Sequence, residues 1–117
     1  MNPLDYSLCG KVVTLYRKQG ETVIRQVVEG CYLACRQGSS TEIYGKSRLK
    51  QFLLIIPGDH PLQCGDRIYD GVGPENVDWQ QFLPATVPEV YEAGYVRPCF
   101  WEGRIAHWEA GAERRWQ

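Results

Sequence analysis

Cysteine and histidine are the residues of this 117-residue chain that could ligate a metal or act as nucleophiles. The five cysteines are Cys9, Cys31, Cys35, Cys64 and Cys99, and the two histidines are His60 and His107. No cysteine pair has the two-residue spacing that zinc knuckles use. The nearest pair, Cys31 and Cys35, lies in a strand-like segment, where residues four apart share a face but sit well separated.

Two interpretations of these cysteines follow from the sequence. One is a zinc site that adds His60 and Cys64 to Cys31 and Cys35. The other is that the cysteines are reduced, small apolar residues, as free cysteines in a cytoplasm commonly are. We expect the second, with no metal and no cofactor.

Nucleophilic catalysis and phosphate binding lack their sequence patterns. A nucleophile elbow of the Gly-x-Ser-x-Gly type is missing. A cysteine nucleophile would need His60 or His107 as its partner, and no cysteine–histidine pair has a local signature. Gly65, Gly71 and Gly73 carry neither a Walker lysine nor dinucleotide-loop spacing, and turns account for them. We therefore expect that the chain is not an enzyme.

Charge and hydropathy exclude other classes of function. The 13 basic and 14 acidic residues are interspersed, so no basic stripe suggests specific nucleic-acid binding. The first residues lack a signal-peptide pattern, and the apolar run from Phe52 to Ile56 is too short to cross a bilayer. We expect a protein made in a cytoplasm, without a membrane partner.

The elements that would position these residues are mostly strands. Lys11–Lys18 and Thr22–Cys35 form a predicted hairpin around Gly20, and Gly30 marks a bulge where the second strand could change face. Further strand-like stretches are 49–56, 67–70, 87–96, 99–101 and 104–109, and Pro98 is expected to divide two of them. Residues 75–83, between Pro74 and Pro84, are the only predicted helix. The fold class is thus mostly β: one domain over 1–117, a small β-barrel or sandwich of about six strands with one short α-helix.

Candidate contact residues come from a polar loop and from tryptophans. The loop at 37–48 is long for so small a domain, and long loops are often functional. Three of the four tryptophans lie in the C-terminal part, where they form either an aromatic core or an interface. The expected partner-contact residues are Ser39, Ser40, Thr41, Glu42, Ile43, Tyr44, Trp101 and Trp108.

Several short segments, in order, are similar to one protein family. Residues 12–17 read Val-Val-Thr-Leu-Tyr-Arg, 53–57 read Leu-Leu-Ile-Ile-Pro, 63–71 contain Gly-Asp-Arg-Ile, and 104–111 contain His-Trp. This order resembles the minor capsid or head–tail connector proteins of tailed phages and prophages. The five cysteines and the insert between Pro74 and Pro84 depart from the family pattern.

The resemblance implies a β-barrel subunit that joins portal and tail through ring assembly. Its partners would be portal or adaptor proteins, tail proteins and further copies of itself, with a monomer when isolated. Its location would be the virion, and the bacterial host cytoplasm during assembly. The alternative is a small β-barrel binding module for a peptide, sugar or nucleic acid.

Overall fold

The computed structural model describes residues 6–36 and 51–112. Within these residues the regular structure is entirely β and comprises seven strands. They are β1 (Lys11–Gln19), β2 (Thr22–Arg36), β3 (Gln51–Pro57), β4 (Arg67–Asp70), β5 (Val90–Glu92), β6 (Tyr95–Trp101) and β7 (Arg104–Gly111). The prediction of a mostly β fold is confirmed.

The strands form one antiparallel sheet, in the order β5-β4-β1-β2-β3-β7-β6, that curls into a half-barrel. Strand β2 turns the corner, because its first part pairs with β1 and its second part pairs with β3. The ladder with β1 shifts register between the pairs Val13–Val28 and Lys11–Cys31. Gly30 lies in this bulge with φ of 75°, a backbone conformation that favours glycine, so the predicted change of face at Gly30 is confirmed.

Alternation along β1 buries both of its faces. Val13 and Leu15 point into the main core, inside the curl of the sheet, where they join residues such as Leu54 and Ile68. Tyr16 belongs to a second cluster on the opposite face, with Phe82 and Val90. Because successive side chains of a strand point to opposite faces, β1 contributes apolar residues to both clusters.

The predicted helix at 75–83 is wrong, because the segment forms a series of separate turns. Phe82 N–H bonds to the Asp78 carbonyl, whereas Leu83 N–H turns back to Gln81. The Trp79 carbonyl, which a helix would direct to the Leu83 amide, instead accepts from the buried guanidinium of Arg67, as does the Phe82 carbonyl. The segment serves as a cover for the second cluster, held by a side chain from β4.

Of the strand boundaries predicted near Pro88 and Pro98, the one at Pro98 is wrong. Pro88 precedes a late, short strand at the sheet edge, β5, as expected. Pro98 does not divide two strands, because β6 runs through it from Tyr95 to Trp101. Strand β6 is the other edge of the sheet, where a residue without an N–H is tolerated. The actual break falls at Ala93–Gly94, where the chain passes from one edge strand to the other.

Candidate functional site

The hairpin of β6 and β7 carries both described residues of the predicted contact set, Trp101 and Trp108. Its turn consists of Glu102 and Gly103, with φ of 54° and 79°. Two consecutive positive φ values are the pattern of a type I′ turn, whose twist matches that of the strands it joins. The turn therefore gives the hairpin a tight and well-defined tip.

The tip presents aromatic surface to solvent. Phe100 is 63% exposed and Trp101 is 36% exposed, next to the turn. A bulge directly behind them sets their direction, because Cys99 pairs with His107 whereas Phe100 pairs with Ile105, which leaves Ala106 as an extra residue. Bulges of this kind re-aim side chains at sheet edges.

Trp108 has a different environment from Trp101. Its ring is half-buried against the main core, and its indole Nε1–H donates to Asp59 Oδ1 at 2.9 Å. Asp59 belongs to the turn that follows β3, so this bond ties the hairpin base to the neighbouring strand. The structure therefore gives Trp108 an anchoring position and Trp101 an exposed one. The other predicted contact residues, 39–44, lie outside the described residues.

A polar cluster occupies one face of the same hairpin. Cys99 faces His107 across the two strands, and Glu109 follows two residues later on β7. The ligand atoms of these three side chains all lie within 4.8 Å of one another. His107 is buried, while Cys99 and Glu109 are half-buried, so the cluster is reachable from solvent.

Surrounding groups hold the side chains of this cluster in place. Tyr6 Oη lies 2.7 Å from His107 Nδ1, and Tyr95 Oη donates to Glu109 Oε2 at 2.9 Å. The Tyr95 ring lies so close over Gly111 that a Cβ there would clash with the ring. Arg97 Nη2 contacts Glu109 Oε1 at 3.3 Å, and the attraction between them raises the pKa of Arg97. Burial lowers the pKa of His107, which favours the neutral imidazole.

The cysteines of the alternative zinc set lie in different environments. Cys31 is fully buried in the main core, and burial raises the pKa of its thiol to about 11. Cys35 and Cys64 are exposed. Across residues 6–36 and 51–112, Cys99, His107 and Glu109 form the one group of three possible ligands that meet so closely. The set of Cys31, Cys35, His60 and Cys64 is not brought together.

The comparisons with known proteins return no relative. No protein-family model, curated protein or solved structure matches this chain. Across the described part of the chain, no helix has the length and apolar character needed to cross a membrane. The fold and the β6–β7 hairpin are therefore the basis for a functional proposal.

Proposed function

We propose that this chain is a structural subunit of a phage or prophage head–tail connector, which assembles as a ring between portal and tail. The observation that carries the proposal is the exposed aromatic tip, formed by Phe100 and Trp101. Large aromatic side chains lose little conformational entropy on contact and bury much apolar area, so they often dominate binding interfaces. The ordered sequence resemblance supplies the particular assembly.

The β6–β7 hairpin is anchored to the core at Trp108 and ends in a tight turn. The Trp108–Asp59 bond and the packing of Trp108 on the core fix one end, and the two-residue turn defines the other. A contact surface that is already ordered has less entropy to lose when it binds. Such a tip suits insertion into a pocket on a different surface of the next subunit, which is the head-to-tail geometry that closes rings.

The charge balance is compatible with a subunit of a DNA channel. Basic and acidic residues number 13 and 14 and are interspersed along the chain. A surface without a basic stripe does not collect phosphates, so passing DNA would not be retained. The partners of the proposed subunit are therefore portal, adaptor and tail proteins rather than the DNA.

The test begins with the neighbouring genes, which the proposal predicts to encode portal, adaptor and tail proteins, and continues with reconstitution of the chain with those proteins. Native mass spectrometry and electron microscopy should show a ring of this chain bound to the portal assembly. The double variant Phe100→Ser, Trp101→Ser should lose ring formation, whereas Leu8→Ser, at a residue 75% exposed outside the hairpin, should retain it. A chain that stays monomeric with every one of these proteins, or a double variant that assembles normally, would contradict the proposal. Tight binding of a peptide, sugar or oligonucleotide by that monomer would favour the binding-module alternative.

A further inference from the structure

The β6–β7 hairpin brings together three chemically different metal ligands: a thiol, an imidazole and a carboxylate. They come from Cys99, His107 and Glu109, and their ligand atoms lie within 4.8 Å of one another. We propose that these three side chains bind one divalent zinc-type ion, with water in the fourth position. This proposal goes beyond the connector role and does not depend on it.

The donor set selects the class of metal. A thiolate ligand disfavours Mg²⁺ and Ca²⁺, which take oxygen ligands, and favours borderline ions such as Zn²⁺. Cysteine, histidine and glutamate are each zinc ligands, and zinc binds tetrahedrally to three protein ligands with water in the fourth position. The thiolate and carboxylate together carry two negative charges, which a divalent ion neutralises.

The distances require only a small closure. Tetrahedral zinc with Zn–S of about 2.3 Å and Zn–N or Zn–O of about 2.0–2.1 Å separates its ligand atoms by about 3.5 Å. Cys99 Sγ and Glu109 Oε1 are now 4.0 Å apart. The His107 ligand atom lies within 4.8 Å of both. Because Cys99 and Glu109 are half-buried, rotation of their side chains can bring the three ligand atoms together, with Glu109 released from its contact with Arg97.

Neighbouring side chains already orient two of the ligands. Tyr6 Oη occupies Nδ1 of His107, which leaves Nε2 as the ring nitrogen available to the ion. Tyr95 Oη donates to Oε2 of Glu109, whereas Oε1 lies on the side of Cys99 and accepts from Arg97 at 3.3 Å, a contact that the ion would replace. Outer groups of this kind fix the direction of metal ligands and are worth about 10–100-fold in metal affinity.

A bound ion would cross-link the two strands of the hairpin. Cys99 lies on β6, and His107 and Glu109 lie on β7, so the ion joins the edge strand to its neighbour directly behind the bulge. The ion would thereby stiffen the segment that holds Phe100 and Trp101. The role proposed for the ion is this cross-link between β6 and β7.

The experiment uses the purified full chain, without any assembly partner, so that its outcome is separate from that of the reconstitution. After addition of Zn²⁺ and dialysis, elemental analysis should find one zinc per chain. With Co²⁺ the protein should show a thiolate-to-cobalt charge-transfer band and the intense visible bands of four-coordinate cobalt. Retention of no zinc, or a cobalt spectrum without the thiolate band, would overturn the proposal.

Variants assign the ligands. Cys99→Ser and Glu109→Gln should each weaken Co²⁺ binding by more than about 100-fold, and Tyr6→Phe by about 10-fold, as expected for direct and outer groups. Cys64→Ser, which removes an exposed thiol outside the cluster, should bind as the unmodified chain does. Equal losses in Cys64→Ser and Cys99→Ser would disprove the assignment. If Cys99→Ser does not fold, Glu109→Gln decides, because glutamine keeps the length of the side chain and one oxygen that can accept from Tyr95 or from Arg97. Unchanged binding in that variant contradicts the site.

Discussion

Arg67 contacts Trp79 at two places: its guanidinium stacks on the Trp79 ring and donates to the Trp79 carbonyl. The guanidinium carbon lies 3.8 Å from the centroid of the Trp79 ring, and Nη1 donates to the Trp79 carbonyl. The same nitrogen donates to the carbonyl of Phe82 at 2.9 Å. Burial lowers the pKa of Arg67, yet a guanidinium stays charged at any ordinary pH. One side chain of β4 thus fixes the cover of the second apolar cluster.

Replacement of Arg67 by methionine should therefore release the cover. The variant loses two charge-assisted hydrogen bonds and leaves two carbonyls without their donor, at a cost of about 3 kcal/mol in the free energy of unfolding. Arg67→Lys, which keeps the charge but cannot both stack and span two carbonyls, should lie between. Hydrogen exchange of residues 75–88 and urea denaturation measure both effects. The control is Lys18→Met, at an exposed position of β1, with a change within about 0.5 kcal/mol.

Substitution of Gly30 tests whether its positive φ is needed at the bulge of β2. An alanine there meets no atom within 4 Å, so any loss of stability comes from the backbone, which holds φ at 75°. Gly30→Ala should lower the free energy of unfolding by about 1–2 kcal/mol. Gly10→Ala, also with open space around its Cβ but without a positive φ, should be neutral or slightly stabilising. Equal thermal shifts in the two variants would contradict the role given to Gly30.

Thiol reactivity should follow burial. Cys35 and Cys64 are exposed and should react first with a maleimide at pH 8, whereas Cys31, fully buried with its pKa raised to about 11, should react only on unfolding. Peptide mass mapping over time gives the order. Rapid labelling of Cys31 in the folded protein would show that the main core is not closed around it.

The raised pKa of Cys31 also predicts a pH dependence of stability. The unfolded thiol loses its proton near pH 9.0, whereas the native thiol keeps it until about 11. Stability should therefore be full below pH 9 and fall as the pH rises to 11, by about 2–3 kcal/mol from this group. Burial raises the pKa of Tyr16 and Tyr91 in the same direction, so the comparison with Cys31→Ala isolates the cysteine. A Cys31→Ala variant with the same slope between pH 9 and 11 would refute this source.

The two ends of the hairpin should respond differently to substitution. Trp108→Phe removes the donor to Asp59 and some packing on the core, and should lower the free energy of unfolding by about 1–2 kcal/mol. Phe100→Ser alters a side chain that is 63% exposed, and should change the free energy of unfolding by less than about 0.5 kcal/mol. Thermal and denaturant unfolding of both variants tests this difference. A larger loss in Phe100→Ser would mean that the tip belongs to the core.

Strands β1 to β4 and β7 were predictable because their apolar pattern and their turn residues agree, whereas the boundary between β5 and β6 was placed wrongly. Gly20, Gly30 and the Pro57–Gly58 pair end or bend strands where the sequence predicts it. The sequence could not show that residues 75–83 do not form a helix, because Pro74 and Pro84 are placed as ordinary helix boundaries are. The decisive contact comes from Arg67, which is distant along the chain from the carbonyls it binds. Local patterns do not contain such a tertiary contact.

The polar cluster was missed for a related reason. A regular ladder from the turn at Glu102–Gly103 places Cys99 opposite Ala106, and His107 then points away. The bulge at Ala106 moves the register by one residue and sets Cys99 opposite His107. Nothing in the local sequence marks this bulge with a glycine. The cluster could be recognised only once the pairing was known.

The two edges of the sheet limit how copies of this chain can meet. Strand β5 is three residues long, and Pro98 in the middle of β6 offers no N–H to a neighbouring strand. A continuous intermolecular sheet across either edge is therefore disfavoured, which protects the free chain from fibrous self-association. We therefore expect assembly through side-chain surfaces of the described sheet, where single substitutions can change its geometry without disturbing the backbone ladder.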